Sequence, residues 1–164
     1  MSANKNQPHI YVLPEDDADS QLAVEFLAEV PWNRQRQMKV LTPAGGWRRV
    51  LEHFTEVHVP EMNRCPARFM VLLIDFDNQY EARRQQVQET IPTDLANRVF
   101  VLGALNEPED LKPVLGSYSK IGSKLARDCH DGTDGTWGHA LLQHNADELD
   151  RARQALCSIL FPPT

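Results

Sequence analysis

An unbroken apolar run followed at once by two carboxylates constrains the fold of this chain more than any other feature. Residues 69–74 are Phe, Met, Val, Leu, Leu and Ile, and Asp75 and Asp77 come directly after them. Such a run is typical of a strand buried on both faces of a parallel sheet. An open α/β sheet binds its ligands outside the carboxyl ends of its strands. The pattern therefore predicts that Asp75 and Asp77 lie at that edge.

A second acidic group follows another short apolar run near the start of the chain. Residues 9–13 read as a strand, and Glu15, Asp16 and Asp17 follow it. If both strands belong to one parallel sheet, the two groups of carboxylates converge at a single edge. Converging carboxylates are the ligands that hard divalent cations prefer. For Asp16, Asp17 and Asp19 we expect a simpler role as capping residues at the start of a helix.

Strand and helix signals alternate along the first hundred residues. Repeated βα units predict an α/β, three-layer, Rossmann-like fold with a central, mostly parallel four-stranded sheet flanked by helices and connected by right-handed crossovers. Pro31 ends the first helix, and Gly45 and Gly46 form the turn before the second. The strands are expected at residues 9–13, 37–42, 69–74 and 98–102, and the helices at about residues 16–30, 47–54 and 79–90.

The pattern loosens after residue 105. Residues 106–110 begin a longer loop or a short helix, and several glycines punctuate the chain beyond them. A helix packed on the sheet is expected for residues 137–144. The last helix has one apolar face, and Asn145 and Glu148 resemble its capping pair. We expect one domain over residues 1–164, with a motif-bearing core at about 9–105 and a C-terminal helical extension at about 106–164.

Composition limits the classes of function. The formal net charge of -6 argues against a free-standing, high-affinity nucleic-acid binder, because lysine and arginine supply most of that affinity. No apolar run is long enough to span a membrane, and the first residues are too polar for a signal peptide, so we expect a cytoplasmic protein without membrane association. The three cysteines are odd in number and widely spaced, which favours neither a disulfide framework nor a zinc knuckle.

The acidic positions and the glycine turn resemble the motif of the TOPRIM domain, a small α/β module of type IA topoisomerases, bacterial-type primases and OLD-type nucleases. Glu15 stands at the end of the first strand, and Gly45 and Gly46 stand after the second strand. Asp75 and Asp77 stand after the third strand. The resemblance covers roughly residues 9–105.

This resemblance implies a magnesium-dependent (or manganese-dependent) enzyme that cleaves or transfers phosphodiesters on nucleic acid, DNA or RNA. Asp75 and Asp77 would hold the metal, and Glu15 would act as a further ligand or as a proton shuttle, so these three are the expected catalytic residues. In chemical terms, a metal polarises a phosphate while a nearby carboxylate handles the proton. Because the chain is acidic, we expect weak binding of nucleic acid by the chain alone, and a protein partner such as an ATPase subunit would compensate.

Further residues are candidates for the same edge of the sheet. Gly45 and Gly46 either cradle a phosphate at a helix start or form a tight turn, and Arg48 and Arg49 would add charge there. Glu107 and Glu109 follow the fourth strand and either add metal ligands or belong to an ordinary acidic loop. Lys124 is a possible phosphate contact. The spacings of His130, His139 and His144 fit no strong zinc pattern.

Two other classes of function compete with the nuclease. Acidic residues after the first and third strands also resemble the pocket of a phosphorylation-dependent receiver domain, although Gly103 and Ala104 stand where a receiver has Ser or Thr. A regulatory subunit that keeps the TOPRIM-like fold without catalysis is the other alternative.

Overall fold

The strands form one all-parallel sheet in the order β2-β1-β3-β4. The computed structural model describes residues 4–163. Residues 1–3 and Thr164 lie outside the described residues. Residues 1–3 belong to the polar segment from which we expect no signal peptide. All four predicted strands are confirmed to within a few residues. They are β1 (His9–Pro14), β2 (Met38–Val40), β3 (Arg68–Leu73) and β4 (Val99–Leu102).

Seven α-helices flank the sheet among the described residues. The first follows β1, the next two lie between β2 and β3, and the fourth lies between β3 and β4. A π-helical segment, Phe54–His58, joins the second to the third without a break. The helices are α1 (Asp17–Ala28), α2 (Trp47–His53), α3 (Val59–Arg64), α4 (Tyr80–Thr90), α5 (Lys112–Leu115), α6 (Tyr118–Asp131) and α7 (Ala146–Leu160).

Side chains alternate across the sheet and supply two separate cores, which makes the fold three-layered. Ile10 and Val71 face the core under α1, α6 and α7. Tyr11 and Met70 face the opposite core, with Val50 of α2 and Val87 of α4. This alternation is the period of two expected of a strand that is buried on both faces. The prediction of a three-layer, Rossmann-like α/β fold is therefore confirmed.

Helix α6 is the largest element that the sequence pattern did not predict. It contains Gly122, which lowers helix propensity and made the segment look like a loop. The glycine permits close packing on α1, because a Cβ at this position would lie 2.9 Å from the Leu22 carbonyl oxygen and 2.6 Å from the Glu25 Cβ. The two helices therefore meet at backbone contact distance, and a side chain at residue 122 would prevent it.

The segment before the last helix differs from expectation. Residues 137–144 form turns and the start of a short 3-10 helix, Gln143–Asn145, instead of a helix packed on the sheet. Buried Asp128 explains the change, since its carboxylate accepts from the backbone N–H groups of Thr136 and Trp137 and fixes a turn there. The last helix is confirmed as α7, whereas its capping pair is not.

Asn145 and Glu148 bind the sheet and not the start of their own helix. The Glu148 carboxylate accepts from the Val101 N–H at 2.9 Å. Asn145 accepts from the Gly103 N–H at 3.1 Å and donates to the Gly103 carbonyl at 2.9 Å. Because β4 is an edge strand, its free backbone groups need partners. The two side chains supply them, so α7 covers the open edge of the sheet.

None of the helices within residues 4–163 combines the length and the apolar character needed to cross a bilayer.

Candidate metal centre

The carboxyl ends of the two central strands bring Glu15 and Asp75 together. Strands β1 and β3 are neighbours, with Pro14 opposite Leu73 in the register, so the next residues of both strands leave the sheet side by side. The strand order reverses between β1 and β3, since β2 lies beyond one of them and β4 beyond the other. Open α/β sheets bind ligands at such a switch point. The sequence prediction that these two residues meet is confirmed.

Backbone and side-chain hydrogen bonds hold Glu15 in place. Its Oε2 atom accepts from the Asp75 N–H at 2.7 Å. Its N–H donates to the Leu73 carbonyl at 2.8 Å. Its carbonyl accepts from the N–H of Gly45 at 2.8 Å and from that of Gly46 at 3.3 Å. Glu15 therefore joins the ends of β1 and β3 to the turn after β2.

Asp19 of α1 completes a group of three carboxylates. One carboxylate oxygen from each of Glu15, Asp19 and Asp75 lies within 4.8 Å of the others. Asp19 is 1% exposed and Asp75 is 5% exposed, while Glu15 is half-buried. We call these three residues the acidic triad. This spacing allows all three carboxylates to contact one cation.

The capping role expected for Asp19 is wrong for its side chain. Asp16 is the N-cap, since its Oδ1 atom accepts from the Asp19 N–H at 3.0 Å. Asp19 lies on the same helix face as Leu22 and Ala23, which are buried. That spacing of three and four residues is the sequence signal that identifies Asp19 as inward-facing.

Two buried oxygens of the triad have no hydrogen-bond partner. They are Oδ2 of Asp19 and Oδ1 of Asp75. A buried polar atom is nearly always paired, and an uncompensated buried charge is costly. A bound cation or a proton satisfies such a pair of oxygens. The same two atoms therefore distinguish the triad from a set of ordinary capping residues.

The electrostatics of the triad agree with this description. Burial raises the pKa of Asp19, and the Asp75 carboxylate raises it further. Burial likewise raises the pKa of Asp75, with Glu15 adding repulsion. The pKa of Glu15 is raised by burial in spite of its hydrogen bond from Asp75. Three carboxyl groups that resist ionisation together attract a cation strongly once they are ionised.

Asp77 does not join the triad, contrary to the sequence prediction that it shares a metal with Asp75. Its side chain is half exposed and forms an ion pair with Arg83. Asp77 and Asn78 both have positive φ, at 47° and 58°, so the chain turns away from the sheet edge directly after Phe76. Asp and Asn tolerate this left-handed region better than other non-glycine residues.

Arg83 connects Asp77 with the triad. This buried arginine of α4 donates to the Asp75 carbonyl at 2.8 Å and stacks on the Trp47 ring, with 4.4 Å between the guanidinium carbon and the ring centroid. Its positive charge therefore lies behind the Asp75 backbone. The same Nη1 atom also donates to the Asp77 carboxylate, which makes Asp77 a residue that positions Arg83.

The glycine turn after β2 is a structural turn and not a phosphate cradle. Both amides of Gly45 and Gly46 already donate to the Glu15 carbonyl, and both residues have positive φ, at 92° and 146°. Of the two interpretations left open by the sequence, the tight turn is the correct one. Arg48 and Arg49 are exposed at the start of α2 and remain available to a phosphate.

The other candidates lie at varying distances from the triad. Glu107 and Glu109 are exposed after β4. The carboxylates of Glu109, Asp110, Asp77 and Asp16 raise the pKa of Glu107, so this acidic loop shares the rim of the site. Neither glutamate belongs to the triad. Lys124 is exposed on α6 and takes part in none of the hydrogen bonds described here for the site.

Close packing beside the triad depends on Gly103. A Cβ at this position would lie 1.6 Å from the Ile74 carbonyl oxygen, so the ends of β3 and β4 can approach only with glycine there. The Asn145 amide and the His144 Nε2 atom both reach the Gly103 carbonyl, at 2.9 Å and 2.7 Å. Gly103 therefore packs directly against Ile74, the residue before Asp75.

Comparisons of the chain with protein-family models, with curated proteins and with solved structures found no match.

Proposed function

We propose that this protein is a magnesium-dependent phosphodiester enzyme that acts on nucleic acid, with the metal held by Glu15, Asp19 and Asp75. One observation carries the proposal. Two buried carboxylate oxygens, on Asp19 and Asp75, have no partner at the switch point of a parallel sheet. A cation is the partner that such a site is suited to bind.

The ligand atoms favour magnesium or manganese over softer metals. All three members of the triad offer carboxylate oxygen. Oxygen-only sites suit Mg²⁺ and Mn²⁺, whereas zinc and copper prefer sites with nitrogen or sulfur. Three carboxylates also exceed the one or two that Mg²⁺ commonly takes from protein, which leaves room for Glu15 to act on a proton instead.

The residues of the site have separate roles in the proposed reaction. Asp19 and Asp75 hold the metal, which when bound polarises a phosphate and stabilises the charge that develops on its oxygens. Glu15 uses Oε2 to accept from the Asp75 N–H, so Oε1 is left for the cation or for proton transfer. Burial raises its pKa, and a raised pKa makes a carboxylate a better proton acceptor. Arg83 fixes the Asp75 backbone.

The substrate class rests on the resemblance to TOPRIM proteins and on two exposed arginines. Arg48 and Arg49 follow a turn that is bonded to the Glu15 carbonyl, so they stand next to the site along the chain. Arginine binds phosphate groups through charge-assisted hydrogen bonds. The loop acids Glu107 and Glu109 repel a polyanion on the opposite side, which favours substrate approach from the α2 side.

A cleavage assay tests this function. Labelled single-stranded and duplex DNA and RNA are incubated with the wild type and with Asp75→Asn in magnesium, in manganese and in EDTA. We expect metal-dependent cleavage of at least one substrate by the wild type and at least a hundredfold less by the variant, as is usual when an electrostatic group of an active site is removed (about 10²–10³). Equal cleavage by both proteins would contradict the proposal, because the cleavage would then not depend on Asp75.

A receiver-like signalling domain is the second candidate, because one observation favours it. The strand order 2-1-3-4 is the start of the 2-1-3-4-5 order of flavodoxin-like folds, which includes receiver proteins. In that case Asp75 would accept a phosphoryl group. Among residues 4–163, however, no fifth strand follows β4. Incubation with a small acyl phosphate and magnesium distinguishes the two functions, because only a receiver gains the mass of one phosphoryl group on Asp75.

A further inference from the structure

Two of the three cysteines lie together on neighbouring helices, and neither belongs to the acidic triad. Cys129 is in the last turn of α6 and Cys157 is in the last turn of α7. The Cys157 Sγ atom lies 3.4 Å from the Cys129 carbonyl oxygen. Both residues are half-buried, as is Cys65 elsewhere in the chain. The pair is thus in contact, although 28 residues separate its members.

The surroundings of the pair are held in place by a network around the end of α6. Asp128 accepts from the Thr133 hydroxyl at 2.7 Å and from the Thr136 N–H at 2.7 Å. Arg153 of α7 donates to Asp134 at 2.9 Å and also to the carbonyls of Asp128 and Thr133. These contacts tie the end of α6 to α7 beside the two cysteines.

A positive charge and a small cavity adjoin the two sulfurs. Arg153 is one helical turn before Cys157, and its buried Nε atom has no hydrogen-bond partner. Both cysteines and Arg153 line an apolar cavity of about 130 Å³. About 10–15 Å³ of such space holds one water molecule, so a small neutral oxidant fits beside the two sulfurs.

We propose that Cys157 and Cys129 form an oxidant-reactive pair that hydrogen peroxide converts into a disulfide joining α6 to α7. The Cys157 thiolate attacks one oxygen of the peroxide, the O–O bond breaks, and the sulfur becomes a sulfenic acid while the released hydroxide takes up a proton. The Cys129 sulfur then attacks the sulfenic sulfur, loses its own proton and displaces water. The two thiols lose two electrons and two protons in total, and one peroxide becomes two waters.

The assignment of the two roles follows from the same contacts. Interaction with Cys129 lowers the pKa of Cys157, burial opposes this effect, and the Arg153 guanidinium lowers the pKa further. Interaction with Cys157 raises the pKa of Cys129, and so does burial. The thiolate is the nucleophile in such reactions. Cys157 is therefore the attacking residue, and Cys129 is the resolving residue.

Peroxide titration of the reduced full chain tests the proposal, with Cys65 as an internal control of similar exposure. After treatment, remaining thiols are alkylated and peptides are analysed by mass spectrometry without reductant. We expect a Cys129–Cys157 cross-link, reversed by dithiothreitol, at peroxide levels that leave Cys65 alkylatable. The cross-link persists in Cys65→Ser. In Cys129→Ser, Cys157 accumulates as a sulfenic acid that a dimedone probe labels.

Three results would overturn the proposal. The first is oxidation of Cys65 before any cross-link forms in the wild type. The second is a Cys157 in the Cys129→Ser variant that is labelled no faster than Cys65. The third is oxidation of Cys129 in Cys157→Ser at the same low peroxide level as in the wild type, which would mean that Cys157 is not the attacking residue. Circular dichroism of each variant confirms that the comparison is made between folded proteins.

Discussion

At the scale of single residues, the direction of a side chain decides which acids form the site. Asp75 and Asp77 are alike in sequence, yet Asp75 is buried against α1 and Asp77 turns outward to Arg83. The alternation of β3 explains Asp75, because it falls on the same face as Val71 and Leu73, which pack under α1. Asp77 and Asn78, which both have positive φ, then end the alternation of side chains.

The raised pKa values of the triad predict how stability depends on pH in the absence of metal. A carboxyl group whose pKa is raised by folding contributes stability that is fully present below its unfolded pKa and is lost as the pH rises through its folded pKa. In EDTA, the free energy of unfolding of the wild type is therefore expected to fall once the pH rises above the ordinary aspartate range near 4. It should go on falling past about 8, to which folding raises the pKa of Asp75, because the pKa of Asp19 is raised further still. Asp19→Asn removes the most buried member of the triad. Its profile should be flatter, and at the upper end it should be more stable than the wild type by about 1–3 kcal/mol.

Asp17→Asn is the matched control for this experiment. Asp17 is exposed in the same turn of α1, so the variant loses the same formal charge without altering the triad. Urea unfolding at each pH gives the free energy of unfolding of the wild type, Asp19→Asn and Asp17→Asn. If the free energy of unfolding of Asp19→Asn depends on pH in the same way as that of the wild type, folding does not raise the pKa of Asp19 and the prediction is wrong.

At the scale of elements, contact between α1 and α6 is set by Gly122. A Cβ at this residue would lie 2.6–3.0 Å from atoms of Leu22, Glu25 and Phe26, two of which belong to the backbone. Gly122→Ala is therefore expected to lower the free energy of unfolding by about 1–3 kcal/mol, the usual effect of overpacking, although alanine has the higher helix propensity. Urea unfolding monitored by circular dichroism measures the change.

Gly135→Ala provides the matched control for the helix contact. A Cβ at this position meets only the Asp128 Oδ1 atom, at an ordinary 3.7 Å. We expect no loss of stability beyond about 0.5 kcal/mol, as at other surface positions. If Gly122→Ala is as stable as Gly135→Ala, the two helices do not meet as closely as described.

Much of the fold could be predicted from the sequence, and the reasons are local. The apolar runs at residues 9–13 and 69–74 identify the two central strands, because such runs are typical of strands that are buried on both faces. Glu15 and Asp75 follow from them, since parallel strands end at one edge. Asp19 could not be predicted in this way. An aspartate in the first turn of a helix is already explained by capping, so nothing local indicates that its side chain points inward.

The C-terminal part resisted prediction because its side chains act over long range. Asn145 and Glu148 have the spacing of a capping box, yet Glu148 binds the backbone of β4 and Asn145 binds that of Gly103 directly after it, more than forty residues away. Gly122 suggests a loop until α1 is known to pack against it. Helix propensity and residue spacing describe interactions within a segment, whereas the roles of Asn145, Glu148 and Gly122 depend on contacts between segments.

At the scale of the whole molecule, the acidic surface predicts weak binding of nucleic acid without metal. The formal net charge is -6, and of the basic residues near the site Arg83 is committed to Asp75 and Asp77. In EDTA we expect duplex DNA to bind with a Kd weaker than about 10⁻⁶ M. Magnesium should tighten the binding, and Arg48→Gln with Arg49→Gln should reverse that gain.

Fluorescence anisotropy at fixed ionic strength measures this binding. The pair Arg64→Gln and Arg127→Gln, exposed at the end of α3 and on α6, removes the same charge from other surfaces and serves as control. Equal losses from both double variants would indicate a general charge effect, and the α2 start would then have no particular role in binding phosphate.

Calorimetric titration with Mg²⁺ and Mn²⁺ tests the central claim most directly, using the wild type, Asp75→Asn and Asp77→Asn. The two variants remove identical charges from the same segment, but only Asp75 belongs to the triad. We predict saturable binding of a divalent cation by the wild type, binding within a few-fold of that by Asp77→Asn, and at least a tenfold weaker affinity, about 1.4 kcal/mol, for Asp75→Asn. Equal affinities of all three proteins, or no binding by the wild type, would contradict the assignment of the triad as a metal centre.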